Sequence, residues 1–202
     1  MACLFVSYRR SDSQGWAGRL AADLARAFGD VALFLDTESI APGEDFARAL
    51  DGAIGRAEAM LVLIGPRWLS ARGEGDSRRL DDPADFVRRE IAAGLAGGLR
   101  VIPVLLGGAA MVKAEQLPEP IAPLAARQAF ELSDTRWDYD CDRLLQAIER
   151  NTSTRRRPQA DRQRDPIDGG DKPGAINVAN GMQVSNSKVG DIVGIKHAGG
   201  RG

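Results

Sequence analysis

Short apolar runs alternate with segments of helical periodicity over the first 150 residues of the chain. The runs that have the length of buried strands are residues 3–8, 31–35, 60–64 and 100–106, with 128–132 as a possible short fifth. Between them, apolar residues recur three or four positions apart, which predicts helices at residues 15–28, 46–56, 83–96 and 139–150. Strands that alternate with helices indicate a parallel sheet with helices on both faces.

The clearest helix start in the chain lies at Asp82 and Pro83. Asp82 can cap the helix through its side chain, and Pro83 suits the first helical position, where no amide partner is lost. On this helix Phe86 and Glu90 are four residues apart and share a face that is otherwise apolar. Glu90 is therefore either a solvated residue paired with a neighbouring arginine or a carboxylate placed for chemistry.

The polar connections between the predicted elements indicate where a ligand would bind. In open parallel sheets, ligands bind outside the carboxyl ends of the strands, where the strand order reverses. The connections after the first three predicted strands are polar and comprise residues 9–13, 36–45 and 65–82. We expect a binding site to be built from these segments.

Charge and composition fit one ordinary domain with an extension. The chain has 202 residues, of which 44% are hydrophobic and 27% are charged. Residues 1–150 hold 18 Lys+Arg and 23 Asp+Glu, a net charge of −5, and the remaining 9 and 5 give +4, which sums to −1. The predicted domain is mildly acidic, so no nucleic-acid partner is expected.

Cysteine content and hydropathy predict a cytoplasmic protein without a membrane partner. Cys3 and Cys141 are too few for a disulfide framework or a metal cluster, so no metal site is expected. No charged leader precedes an apolar stretch at the N-terminus, and the most apolar long window, residues 92–112, contains Arg100 and Pro103.

The inventory of reactive side chains excludes several enzyme classes. His197 is the only histidine and lies far from the predicted domain, so Ser-His-Asp and Cys-His catalysis are excluded there. No Gly-rich loop ending in Gly-Lys-Ser/Thr is present, which argues against a nucleotide triphosphatase. Acid–base or electrostatic work must therefore come from carboxylates.

The composition changes abruptly after residue 150. Residues 151–173 are rich in Arg, Asp, Gln and Pro, which predicts a flexible linker. Residues 174–197 form a β-prone segment of low charge without proline, too short to build its own core, so it either stays disordered or pairs with another strand. The side chains expected to drive such assembly are Ile176, Val178, Met182, Gln183, Val184, Ile192 and Ile195.

Several motifs, taken in their order and spacing, resemble one known family. They are residues 5–11 (FVSYRRS), 34–36 (FLD), 40–46 (IAPGEDF), 61–64, 85–91 and 101–105. Together they resemble a Toll/interleukin-1 receptor (TIR) domain of the bacterial type, over about residues 1–150. The resemblance implies a flavodoxin-like α/β fold with five parallel strands.

The resemblance also implies an activity, because many TIR domains cleave the nicotinamide–ribose bond of NAD⁺. The family's catalytic glutamate lies four residues after an aromatic residue that is commonly Trp, and this pattern falls on Phe86 and Glu90. NAD⁺ would be the substrate, and no cofactor is implied. Residues expected to bind it are Tyr8, Arg9, Arg10 and Ser11 at the end of the first strand, with Asp36, Gly43, Phe46 and Phe86 shaping the pocket.

The chemistry of NAD⁺ cleavage suits a site without histidine. Nicotinamide in NAD⁺ is a cationic leaving group that departs neutral, so no general acid is needed, in contrast to ordinary glycoside hydrolysis with its two carboxylates. One anion that faces the developing oxocarbenium ion or grips the ribose hydroxyls could suffice. We expect Glu90 to supply it.

The β-prone segment carries a second resemblance. Residues 182–185 (MQVS) are similar to the apolar-Gln-apolar-Gly core of RHIM-like amyloid signalling motifs. This implies a bacterial effector that forms a homo-oligomer through TIR–TIR contacts and stacking of the tails, with a receptor carrying a matching motif as a further partner. Clustering of the tails would raise the local concentration of the domain.

Two other functions compete with this hypothesis. A non-catalytic TIR adaptor or virulence module would bind other TIR domains through residues 36–45. A flavodoxin-like phosphotransfer receiver would need an acidic pair after the first strand, where this chain has Arg9 and Arg10.

Overall fold

The computed structural model describes residues 3–29, 32–35 and 46–157. Of the predicted site residues, Asp36 and Gly43 lie outside the described residues. The same is true of the predicted linker from residue 158 onward and of the whole 174–197 segment with its proposed assembly side chains.

Strands and helices alternate along the described chain. The strands are β1 (Cys3–Ser7), β2 (Ala32–Leu35), β3 (Ala59–Ile64), β4 (Arg100–Leu106) and β5 (Phe130–Leu132). The α-helices are α1 (Arg10–Phe28), α2 (Phe46–Arg56), α3 (Phe86–Ala96) and α4 (Trp137–Asn151).

The strands form one parallel sheet in the order β2-β1-β3-β4-β5. This is the flavodoxin-like order, in which the chain moves to one side of β1 and then returns to the other. The predicted α/β class, with parallel strands and helical crossovers, is confirmed. The strand order reverses between β1 and β3, so the carboxyl ends of these two strands mark the expected ligand crevice.

Two apolar layers cover the faces of the sheet. α1 and α4 pack on the face that carries Leu4 and Val6, whereas α2 and α3 pack on the face that carries Phe5. Successive side chains of a strand point to opposite faces. Ser7 therefore follows Phe5 onto the α2/α3 face, at the carboxyl end of β1.

Helix α3 begins three residues later than the sequence predicts. The Asp85 side chain accepts a hydrogen bond from the backbone N–H of Arg88 at 3.0 Å and so caps a helix that starts at Phe86. Asp82 accepts instead from the backbone N–H of Ala84 at 2.8 Å, which closes a turn around Pro83. Both aspartates are good caps in isolation, and the tertiary contacts of Asp85 decide between them.

The chain continues to contact the domain after α4. Thr154 is buried, and the backbone N–H of Arg157 donates to the carbonyl oxygen of Ala27 at 2.7 Å. Residue 151 of the predicted linker ends α4, residues 152–157 form a C-terminal strap against the domain, and the rest of that linker lies outside the described residues.

Candidate functional site

A hydrogen bond between Ser7 and Glu90 lies at the carboxyl end of β1. The Ser7 hydroxyl donates to Oε2 of Glu90 at 2.6 Å. Ser7 is fully buried and Glu90 is only 3% exposed, although Glu90 belongs to a helix on the surface of the sheet. The inward face of α3 therefore holds a carboxylate directly over the carboxyl end of β1.

An ion pair two residues further along the chain fixes the start of α3. Arg9 shares the face of Ser7, and its Nη1 and Nη2 donate to the two carboxylate oxygens of Asp85 at 3.0 and 3.1 Å. Nε of Arg79 approaches the same carboxylate at 3.2 Å. Because Asp85 also caps α3, it joins β1, the β3–α3 connection and the first turn of the helix.

We refer to Ser7, Arg9, Asp85 and Glu90 as the β1–α3 polar cluster. All four are at most 4% exposed. With Arg79 at the rim, two guanidinium groups face two carboxyl groups, so an ionised Glu90 leaves the cluster without net charge. Buried charges persist only when they are paired and hydrogen-bonded, and this arrangement meets both conditions for the Asp85 carboxylate.

The neighbouring end of β3 is held by a second carboxylate. Asp12, in the first turn of α1, accepts from the backbone N–H groups of Gly65 and Arg67 at 3.0 and 2.8 Å. A Cβ atom on Gly65 would lie 2.3 Å from Oδ2 of Asp12. The first turn of α1 and the carboxyl end of β3 are therefore joined closely, with little room for a side chain at position 65.

The other predicted site residues are dispersed. Tyr8 is half-buried and packs on the α1/α4 side of the sheet, opposite Glu90. Arg10 and Ser11 are exposed in the first turn of α1, where the Ser11 carbonyl accepts from Nη2 of Arg67 at 2.6 Å. Phe86 is the half-buried first residue of α3, one turn before Glu90. Phe46 is the first residue of α2.

Arg9 was expected to bind the substrate, but in the structure its guanidinium group is bound to Asp85. Both of its terminal nitrogens are bound to Asp85, and its side chain is 2% exposed. A contact from Arg9 to a phosphate or a ribose would therefore require the ion pair to break. In the described conformation Arg9 orders the start of α3.

Ser7 and the ion pair of Asp85 with Arg9 are not among the features predicted from the sequence. The signal that could have found them is the two-residue period of β1, which places Phe5, Ser7 and Arg9 on one face. Two polar side chains that continue a buried face need polar partners. α3 carries its two inward carboxylates five residues apart, at Asp85 and Glu90.

The described part of the chain offers neither a metal-binding cluster nor a reactive thiol. Within it, no group of three or more His, Cys, Asp or Glu side chains could hold a metal ion, and no helix is long and apolar enough to cross a membrane. Burial raises the pKa of the Cys3 thiol to about 11 and that of Cys141 to about 12. Both cysteines are free and remain protonated at neutral pH, which makes them poor nucleophiles.

The TIR domain family matches residues 4–145 of the chain. A curated relative, the NAD(+) hydrolase sarm1 of Drosophila melanogaster, is 30% identical over 149 residues. The match covers 73% of this chain and 10% of that protein, so the chain spans about a tenth of its relative's length. The name of this relative makes NAD⁺ its substrate and not its cofactor, and no cofactor is indicated.

Solved structures with low sequence identity share the fold. The TIR domains of the activated Roq1 resistosome match with a TM-score of 0.54 and 16% identity, covering 73% of this chain and 99% of theirs. A prokaryotic SEFIR domain gives 0.51 and 20%, covering 73% and 92%. The TIR domain of TRR-2 from Hydra magnipapillata gives 0.50 and 18%, covering 73% and 98%. With the family match over most of the described residues and these shared folds, the chain belongs to the TIR domain family.

Proposed function

We propose that the chain is an NAD⁺ glycohydrolase that cleaves the nicotinamide–ribose bond, with Glu90 as its catalytic carboxylate. The observation that carries the proposal is the burial of Glu90 against Ser7 at the carboxyl end of β1, where the strand order reverses. The 30% identity to a protein named NAD(+) hydrolase supports the choice of substrate.

The proposed reaction needs little from the protein besides a fixed negative charge. The bond between the nicotinamide nitrogen and the ribose carbon breaks, and its electron pair stays on nicotinamide, which leaves neutral. The ribose carbon becomes an oxocarbenium ion, to which water adds with loss of a proton to give ADP-ribose. If a nucleophile of the substrate itself adds, the product is a cyclic ADP-ribose. An ionised Glu90 would stabilise the cationic transition state.

The burial of Glu90 implies a conformational step before catalysis. A carboxylate that is 3% exposed cannot contact a ribose unless neighbouring groups move. TIR domains commonly assemble through TIR–TIR contacts, and we propose that assembly into a homo-oligomer favours the open arrangement. Activity would then be low in the dispersed protein, which fits an effector of bacterial immune or cell-death signalling.

We propose that the β-prone segment at residues 174–197 promotes this assembly. Its low charge, its β-branched residues and its lack of proline support stacking of tails on one another or on a receptor with a matching motif. The polar residues between 157 and 174 would act as a tether that raises the effective concentration of the domains. Deletion of residues 174–202 is expected to abolish oligomerisation driven by the tail and to lower NAD⁺ turnover.

Nicotinamide release from NAD⁺ at high protein concentration tests the proposed activity. We expect release by the wild type and a loss of at least about a hundredfold in Glu90→Ala. Glu58→Ala is the matched control, since Glu58 accepts from a serine at the opposite end of the sheet. Equal rates in wild type and Glu90→Ala, or no release in assembled protein, would favour a TIR adaptor instead. Chromatography of the product separates ADP-ribose from its cyclic form.

A further inference from the structure

We infer that Ser7 is a positioning residue for Glu90, which it holds in the orientation required for the reaction. This inference rests on the proposed function, because it assigns a second residue to the same site. It concerns an interaction between two side chains that are separated by 83 positions in the sequence.

The location of Ser7 restricts it to an indirect role. Ser7 ends β1, the strand that lies between β2 and β3, and pairs in register with Val62 of β3. Its relative exposure is 0%, and α3 covers it on the side of Glu90. A substrate therefore meets Glu90 before it could meet Ser7, and any influence of the Ser7 hydroxyl passes through the glutamate.

The hydroxyl is not required by the packing around it. Phe5, the preceding residue on the same face, belongs to the apolar core between the sheet and α2/α3. A buried hydroxyl costs free energy unless it is hydrogen-bonded, so an apolar residue would serve the core better at this position. The 2.6 Å hydrogen bond to Glu90 offsets that cost, so the serine at this position is explained by its contact with the glutamate.

The hydrogen bond fixes the orientation of the carboxylate. Ser7 ends a sheet strand and its own backbone pairs with Val62 of β3, so the sheet positions its hydroxyl, which donates to Oε2 of Glu90. Charge-assisted bonds of this kind are short and directional. The plane of the carboxylate is then set before the substrate arrives, which is the preorganisation that electrostatic catalysis requires.

The start of α3 remains anchored when Ser7 is altered. Asp85 caps the helix and binds Arg9 independently of Ser7. Loss of the Ser7 hydroxyl should therefore remove one fixed contact of the Glu90 carboxylate without moving the helix. This separates an effect on chemistry from an effect on folding.

Steady-state kinetics of nicotinamide release on the full chain test the inference. Ser7→Ala should lower kcat by about tenfold to a hundredfold, the range expected when a hydrogen bond to a charged group is lost, with KM for NAD⁺ within about twofold. Ser7→Thr restores a hydroxyl on a residue that suits strands and should recover most of kcat. Ser153→Ala removes the hydroxyl that donates to Glu58. It is the matched control and should leave both kcat and KM unchanged.

The outcomes separate this inference from the proposed function. If Glu90→Ala is inactive but Ser7→Ala retains the wild-type kcat, the positioning role is wrong and the proposed function stands. A rise in KM alone, or failure of Ser7→Thr to recover kcat despite normal thermal unfolding, would also overturn it. If the wild type releases no nicotinamide, the proposed function fails and this inference fails with it. Should Ser7→Ala not fold, Ser7→Cys keeps the size with a weaker donor, and the same criteria apply.

Discussion

Two serine–glutamate hydrogen bonds lie at opposite ends of the sheet. At the carboxyl end of β1 the Ser7 hydroxyl donates to Glu90 at 2.6 Å, with both residues buried. At the amino end of β3 the Ser153 hydroxyl donates to Oε1 of Glu58 at 2.5 Å, and the Ser153 amide donates to Oε2 at 2.5 Å, in a partly exposed setting. The same two side-chain types thus meet under very different solvation.

The difference shows why the chemistry is expected at one end only. Water competes with the Ser153 bond and screens the charge of Glu58, so that pair can contribute little beyond attachment of the C-terminal strap. The β1–α3 polar cluster is buried, so the charge of an ionised Glu90 would be screened less there than the charge of Glu58 at the surface. Burial, rather than the identity of the hydrogen-bonded pair, distinguishes a candidate catalytic carboxylate from a structural one.

Removal of the negative charge of Asp85 should produce the largest change in stability. Asp85→Asn keeps a residue that can cap α3, but it leaves the buried guanidinium of Arg9 without its counterion. We expect the free energy of unfolding to fall by about 3–5 kcal/mol, because breaking a buried pair leaves an uncompensated charge. Thermal unfolding measures this as a decrease of roughly 10 °C in Tm.

The matched control for Asp85 is an exposed aspartate with an arginine partner. Asp76 pairs with Arg72 at 3.4 Å and has a φ of 62°, a conformation that asparagine also tolerates. Asp76→Asn should change stability by less than about 1 kcal/mol. Equal losses in the two variants would show that the β1–α3 polar cluster is no drier than the surface.

Crowding at the carboxyl end of β3 should give an intermediate effect. In Gly65→Ala the new methyl group would press on the Asp12 carboxylate, which holds two backbone amides of the same connection. We expect a loss of about 1–3 kcal/mol in the free energy of unfolding. In the control Gly18→Ala, no atom lies within 4 Å of the added Cβ atom, and a gain of up to about 1 kcal/mol is expected in helix α1. Urea denaturation of both variants compares them.

The smallest effect should come from Ser153→Ala and should depend on pH. The Ser153 hydroxyl, together with its amide, lowers the pKa of Glu58 below its ordinary value of 4.5. A lowered carboxyl pKa stabilises the fold above the unfolded pKa, and this stabilisation is lost as the pH falls through the folded pKa. The variant should be less stable at pH 7 by at most about 1 kcal/mol, and the difference should shrink below pH 4.5. A difference that persists at pH 2.5 would assign the effect to packing of the strap.

Local patterns predicted much of the fold because its strands and helices have strong periodicity. The bounds of α2 and β4 agree with the prediction, and β3 differs by one residue. The predicted start of α3 was wrong because Asp82 and Asp85 are equally good caps by sequence. Only the ion pair of Asp85 with Arg9 distinguishes them. The two contacts that build the site, Arg9 with Asp85 and Ser7 with Glu90, join side chains separated by 76 and 83 positions in the sequence. No local sequence pattern can predict them.

The candidate carboxylate itself was accessible from the sequence, since the spacing from Phe86 to Glu90 matches the family pattern. The hydrogen bond from Ser7 to Glu90 and the ion pair of Arg9 with Asp85 could not be predicted, because they depend on how α3 packs against the end of β1. Residues 36–45 and 174–197 lie outside the described residues, so the roles expected for Asp36, Gly43 and the assembly side chains stay predictions.

The central claim, that Glu90 acts on the transition state, is tested most directly by Glu90→Gln in one assembled preparation. NAD⁺ binding and nicotinamide release are measured on the same sample, with Glu58→Gln as the control. Glu90→Gln should bind NAD⁺ within about threefold of wild type while kcat falls by at least about a hundredfold, because the amide keeps the shape of the side chain and loses its charge. Release at the wild-type rate by Glu90→Gln, or an equal loss in Glu58→Gln, would contradict it.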